Sequence, residues 1–220
     1  MIKVIFWDFD GVIADSFNVK TDAFHEMYLP YGEDIAEKVR QHHLANGGVS
    51  RFEKFKLYQA EYLGEPTPIP QETIDRLSQQ FSDLVMNKVV NAPYITGVVD
   101  TLKKYSKLVD NYIISGTPTE EMREIINRRG LTDYFKGIYG SPDTKAVWTK
   151  RLMDEHGYQP NEGIWIGDAL SDFKASKATD TFFILRRHED NGELFADYHS
   201  YAIDDFTQFD EVFNQINQKS

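Results

Sequence analysis

The sequence predicts an α/β protein: a doubly wound, Rossmann-like parallel sheet core with an inserted all-helical cap domain. Two observations carry this expectation. Short runs of apolar, β-branched and aromatic residues, each ending in a glycine or small polar turn, alternate with helix-like stretches along most of the chain. Between Ser16 and Ala92 the alternation stops and only helical periodicity remains.

The first strand is Val4-Ile5-Phe6-Trp7, whose continuous apolar character suits burial on both faces, and Asp8-Phe9-Asp10-Gly11 ends it. In the insert, Ala23, Phe24, Met27 and Tyr28 keep helical spacing up to Pro30. Phe52, Phe55, Tyr58 and Tyr62 form another stripe, and Ile74, Leu77, Phe81, Leu84 and Val85 another. These aromatics read as core rather than as a cofactor site. Ser50-Arg51-Phe52-Glu53 has the Ser-x-x-Glu form of a capping box, so a helix is expected to start there. Beyond the insert, strands are expected at Tyr112-Ile113-Ile114, Ile138-Tyr139, Ile164-Trp165-Ile166 and Phe182-Phe183-Ile184-Leu185, with helices over 98–105, 119–129, 145–156 and 172–177. The core is thus assigned to residues 1–15 and 93–220 and the cap to 16–92, with hinge candidates at 15–18 and 91–96.

Composition narrows the chemistry. The chain lacks cysteine, which excludes disulfides, zinc–thiolate and iron–sulfur centres and thiol nucleophiles. A net charge of −11 argues against a nucleic-acid partner, because a phosphate backbone needs a basic face. The apolar run Val4 to Trp7 is too short for a signal segment, and no stretch approaches the ~18 apolar residues of a membrane span. The expectation is a cytoplasmic protein with no membrane partner; oligomeric state is not legible.

Ligands of open parallel sheets bind outside the carboxyl ends of the strands. The residues there are Asp8 and Asp10, then Ser115, Gly116 and Thr117, then Lys145 opening a helix, then Asp168 and Asp172. Converging carboxylates repel one another unless a cation sits among them, and a hard, oxygen-liganded ion such as Mg²⁺ meets that need. A hydroxyl, free backbone N–H groups and a lysine beside them suit a phosphate. Singly, each element has a plainer reading: a turn, a helix N-cap, a surface lysine. Together they point to Mg²⁺-dependent phosphoryl transfer on a small phosphorylated metabolite.

Asp8-Phe9-Asp10-Gly11-Val12-Ile13-Ala14-Asp15-Ser16 resembles motif one of the haloacid dehalogenase superfamily, Ile113-Ile114-Ser115-Gly116-Thr117 its motif two, Lys145 its motif three and Gly167-Asp168-Ala169-Leu170-Ser171-Asp172 its motif four. The resemblance spans the chain in order, and the insert is similar to the small cap of phosphoglycolate phosphatase and β-phosphoglucomutase relatives. It implies that Asp8 is the nucleophile and that Asp10 protonates the leaving oxygen and then activates water. It also implies that Gly11, Ser115, Gly116 and Lys145 hold the phosphoryl group. Mg²⁺ would be bound by the Asp8 carboxylate, the Asp10 main-chain carbonyl and Asp168, with Asp172 as a direct or indirect ligand. Asp10 argues against dehalogenation, since halide needs no proton.

Gly48-Val49-Ser50-Arg51 resembles the mutase cap loop in which an arginine grips a second phosphate, so Arg51 is a substrate candidate beside a solvated-arginine reading. Lys20 stands where mutase-like enzymes carry histidine, which favours a phosphatase over a phosphomutase; Lys20 and Lys54 are further substrate candidates, and His42 and His43 read as ordinary cap-helix residues. Two other classes fit the sequence less well. A phospho-receiver domain is shorter and lacks the insert, and a catalytically silent binding module would have lost an essential residue, which this chain has not.

Overall fold

The computed structural model describes residues 1–220. Its centre is a six-stranded, all-parallel sheet in the order β3-β2-β1-β4-β5-β6, formed by Val4–Trp7, Asp110–Pro118, Gly137–Ser141, Gly163–Gly167, Phe182–Arg186 and Ala202–Ile203. β1 lies between β2 and β4, with Trp7 in register with both Ile113 and Ile166. The chain therefore winds outward first on one side of β1 and then on the other, and the switch point falls at the end of β1.

Alternate strand residues face opposite layers. Ile5, Trp7, Ile113, Ile164, Ile166 and Ile184 pack with α5 (Val98–Tyr105), α6 (Thr119–Arg128) and α9 (Phe209–Asn217). Phe6, Tyr112, Ile114, Trp165, Phe183 and Leu185 pack with α7 (Lys145–His156) and α8 (Leu170–Thr179). No helix is long and apolar enough to cross a membrane.

Between β1 and α5 the chain is helical: α1 (Phe17–Tyr28), α2 (Glu33–Ala45), α3 (Arg51–Leu57, widening into a π turn over Tyr58–Tyr62) and α4 (Gln71–Asn91). The expected stripes meet, with the Phe24 ring 4.3 Å from Phe81 and 5.6 Å from Phe55, and Tyr28 5.4 Å from Tyr58. The two connections run side by side: Asp15 N donates to Pro93 O at 2.9 Å and Ile95 N to Ile13 O at 3.1 Å.

Several expectations need adjustment. α2 is the helix expected around His42 and His43, but no apolar stripe marks its extent in the sequence, because only Ala36, Val39 and His43 of its residues are buried. α3 does begin at Arg51, but the box is not closed: Ser50 Oγ accepts from Phe52 N at 3.3 Å, while Glu53 turns outward to Lys56 at 2.8 Å. α8 is longer than 172–177, and β6 and α9 were not anticipated.

Candidate active site

Asp8 is the first residue past β1, and its N–H still bonds Ile166 O at 2.9 Å, so the sheet fixes its backbone. One carboxylate oxygen, Oδ1, accepts from Phe9 N at 2.7 Å. The other, Oδ2, lies 2.7 Å from Lys145 Nζ, which also donates to Asp172 Oδ1 at 2.6 Å. Thr144 caps the helix that Lys145 opens, accepting from Val147 N. Asp172 sits in the first turn of α8, where its Oδ2 accepts from Ala169 N at 3.0 Å.

Asp168 completes the group, and one ligand atom from each of Asp8, Asp168 and Asp172 falls within 4.8 Å of the others. Its carboxylate contacts His188 Nε2 at 3.1 Å, and Asn191 Nδ2 donates to its carbonyl at 2.9 Å, so the loop after β5 braces it from behind. Burial, then the neighbouring carboxylate of Asp172, pushes Asp8 up to about 7 against the pull of Lys145. Asp168 and Asp172 are raised as well, first by burial. For Lys145 burial works against the charge, but Asp172 and Asp8 outweigh it and its pKa is raised. Lys145 thus pairs with two of the three buried carboxylates, and an all-oxygen donor set with surplus negative charge fits a small, hard divalent cation.

Asp10 faces elsewhere. Its Oδ1 accepts from Ser16 Oγ at 2.6 Å and its Oδ2 from Lys20 Nζ, which also donates to Thr117 Oγ1 at 2.7 Å. Burial would raise Asp10, but Lys20 and Ser16 hold it below the usual carboxylate range. Its side chain is outside the acid cluster, leaving only its carbonyl for the metal role that the motif resemblance implies. Lys20, expected as a substrate contact, lines the cleft with its ammonium held by Asp10 and Thr117.

Gly11 does not offer its amide to a phosphate: that N–H donates to Ala14 O at 2.8 Å. What the position requires is a positive φ of 73° and no side chain, since a Cβ would lie 2.0 Å from Asp168 Oδ2. Ser115 and Gly116 do line the cleft, with Ser115 Oγ accepting from Thr117 N at 3.1 Å.

The insert closes over these groups. Ser171 Oγ donates to Gly47 O at 3.1 Å, and a Cβ on Gly48 would come within 2.9 Å of Lys145 Nζ. Beneath lies a cleft of ≈ 50 Å³ walled by Asp8, Asp10, Lys20, Ser115, Asp168 and, from the insert, His43, Arg51 and Lys54. Arg51 is buried with its fork occupied: Nη1 donates to Glu121 Oε2 at 2.9 Å and to Ser82 Oγ at 2.7 Å, and Nη2 to Glu121 Oε1 at 2.5 Å. His42 contacts the Tyr58 hydroxyl at 3.0 Å, whereas His43 lies against Lys54, Nδ1 to Nζ 2.7 Å.

Sequence reasoning missed Glu121, His188, Asn191 and the placement of His43. Of these, His188 follows β5 at the same sheet edge as the other site residues and could have been found by that rule.

A doubly wound sheet with a buried acid cluster and lysine at its switch point, covered by a helical insert, defines a capped α/β protein whose site suits a divalent cation and an anionic ligand. Residues 4–185 match the haloacid dehalogenase-like hydrolase family, and the chain belongs to it. It is 26% identical over 186 residues to phosphoglycolate phosphatase 1 of Pseudomonas aeruginosa, covering 80% of this chain and 66% of that protein, just under two thirds of its length. A phosphoglycolate phosphatase of Vibrio vulnificus is 22% identical over 188 residues, covering 80% of this chain and 79% of the relative. In three dimensions the chain is similar to a β-phosphoglucomutase from Clostridium difficile, with a TM-score of 0.78 at 18% identity over 100% of this chain and 99% of the other.

Proposed function

We propose that this protein is a Mg²⁺-dependent phosphatase that hydrolyses a small phosphomonoester through an aspartyl-phosphate on Asp8. The observation that carries the reading is Lys145 held between Asp8 and Asp172, beside Asp168 and at the carboxyl edge of the sheet. A carboxylate can attack a phosphomonoester dianion only where positive charge offsets the repulsion, and Lys145 is placed to supply part of it. Asp8, Asp168 and Asp172, with the Asp10 carbonyl, would hold Mg²⁺, which would neutralise more of the charge on the nonbridging oxygens.

In this account Asp8 Oδ attacks phosphorus and the ester oxygen leaves, taking the proton that Asp10 delivers. Water then attacks phosphorus in the acyl phosphate, giving its proton to Asp10 and freeing Asp8. Lys20 and Ser16 aim the Asp10 carboxylate and favour its ionised form, the form needed in the second half. Ser115 and the amides near Gly116 are suited to hold the phosphoryl oxygens. Residues 16–92 act as the cap, hinged at the paired connections near Asp15 and Pro93, and closure excludes bulk water. The phosphatase names of the sequence relatives support the same reaction class.

The test is phosphate release from a panel of phosphoglycolate, sugar phosphates and nucleoside monophosphates with Mg²⁺. Isomerisation of a sugar phosphate without release would mark a phosphomutase, and no turnover of any ester would mark a binding module.

A further inference from the structure

The Arg51 fork that would suit a second anion on the substrate is filled by Glu121 and Ser82. Of the lysines in the cleft, Lys20 faces Asp10 and Lys145 faces Asp8 and Asp172. Lys54 is different. It is 2% exposed, it has no carboxylate within ion-pair distance, and its polar partner is His43. Burying an ammonium with no opposite charge is costly, so a fold that keeps one facing a substrate cleft keeps it for a ligand or at a loss.

His43 adds an independent observation. It lines the same cleft at 5% exposure, and its Nε2 is buried with no hydrogen-bond partner. With the Lys54 ammonium donating to Nδ1, the neutral ring carries its proton on Nε2, which leaves a second donor unused. An unmet buried donor next to an unmet buried cation is complementary to an anion. These donors line the same cleft as Asp8.

We infer that Lys54 and His43 form a subsite for a second anionic group, so that the preferred ester is a phosphomonoester that also carries a carboxylate or a second phosphate. This rests on the phosphatase reading for the other end of the molecule. Burial, followed by the charges of Lys20 and Lys145, holds the Lys54 pKa well below its usual value, and a bound anion would favour the ammonium form. Arg51 then serves to hold α3 in place, so that Lys54, one turn further along, stays over the cleft.

The experiment needs no turnover. Binding of ethylphosphonate, 3-phosphonopropionate and ethylene-1,2-bisphosphonate is measured by calorimetry on the full chain in Mg²⁺ buffer. A two-anion ligand should bind ~10- to 100-fold tighter than ethylphosphonate, as a charge-assisted contact implies, and the ligand that gains separates carboxylate from phosphate as the group read. Lys54→Met should remove most of that preference and raise the thermal midpoint, because an apolar chain replaces an unpaired buried ammonium. Lys54→Gln, which keeps a donor but no charge, should also lose the preference and serves if the methionine variant does not fold. Wild-type protein that binds ethylphosphonate with no preference for a second anion overturns this inference alone, as does a folded variant that keeps the preference. If no phosphonate binds, the phosphatase reading falls with it.

Discussion

Arg51 and Glu121 form a bidentate ion pair that joins α3 of the insert to the first turn of α6 on the sheet domain, with side-chain exposures of 4% and 8%. The guanidinium also lies 4.6 Å from the centre of the Phe81 ring, so it is packed as well as paired. Such a pair contributes little net stability, but removing one partner leaves the other buried and uncompensated.

Arg51→Met and Glu121→Leu should therefore each lower stability by about 3–5 kcal/mol, and the double variant Arg51→Met/Glu121→Leu should recover most of the loss. Urea denaturation of the four proteins gives the coupling. Single variants as stable as the parent would mean that the pair does not hold the insert to the sheet.

The acid cluster predicts a metal requirement. Exhaustive chelation should abolish hydrolysis of an aryl phosphate, and Mg²⁺ should restore it. Ca²⁺ should bind yet support little turnover, because its larger and looser coordination does not impose octahedral geometry. Asp168→Asn should raise the Mg²⁺ concentration needed for half-maximal rate by ~10-fold or more, since a charged ligand is lost. Undiminished turnover after chelation would contradict the assignment.

His43 predicts a pH dependence of stability. Burial, then the charges of Lys54 on α3, Lys20 on α1 and His42 on its own helix, hold its pKa well below 6.5. Below that value the unfolded chain binds a proton at this histidine that the folded chain does not, so stability present above pH ~6.5 is lost as the pH falls. The contribution is at most about 1.4 kcal/mol per pH unit. His43→Gln should flatten the decline between pH 7 and pH 5 in urea titrations, and a slope equal to that of the parent would show that His43 does not contribute.

Which parts were legible follows from how locally each feature is encoded. β1, β4 and β5 are apolar runs buried on both faces, and α5 and α7 carry boundaries that the residues themselves mark, Thr144 and Gly157 at the ends of α7 among them. The acid cluster was legible because every member follows a strand of the same sheet. The extent of α2 was hidden by its polarity and β6 by its length of two residues, though Phe209, Phe213 and Ile216 gave α9 a readable stripe. The partners of Arg51 and Lys54 were not legible at all. Glu121 lies 70 residues from Arg51, and only the packing of α3 against α4 and the sheet domain brings their charges together.

The central claim is that Asp8 carries the phosphoryl group during turnover. Rapid acid quench of the enzyme with an aryl phosphate, followed by borohydride reduction and peptide mass spectrometry, reads it directly. The account predicts conversion of Asp8 to homoserine, no conversion in Asp8→Asn, and a fall in turnover of at least ~10³-fold in that variant while it remains folded. Steady turnover with Asp8 unmodified, or a phosphoryl group trapped on another residue, would contradict it.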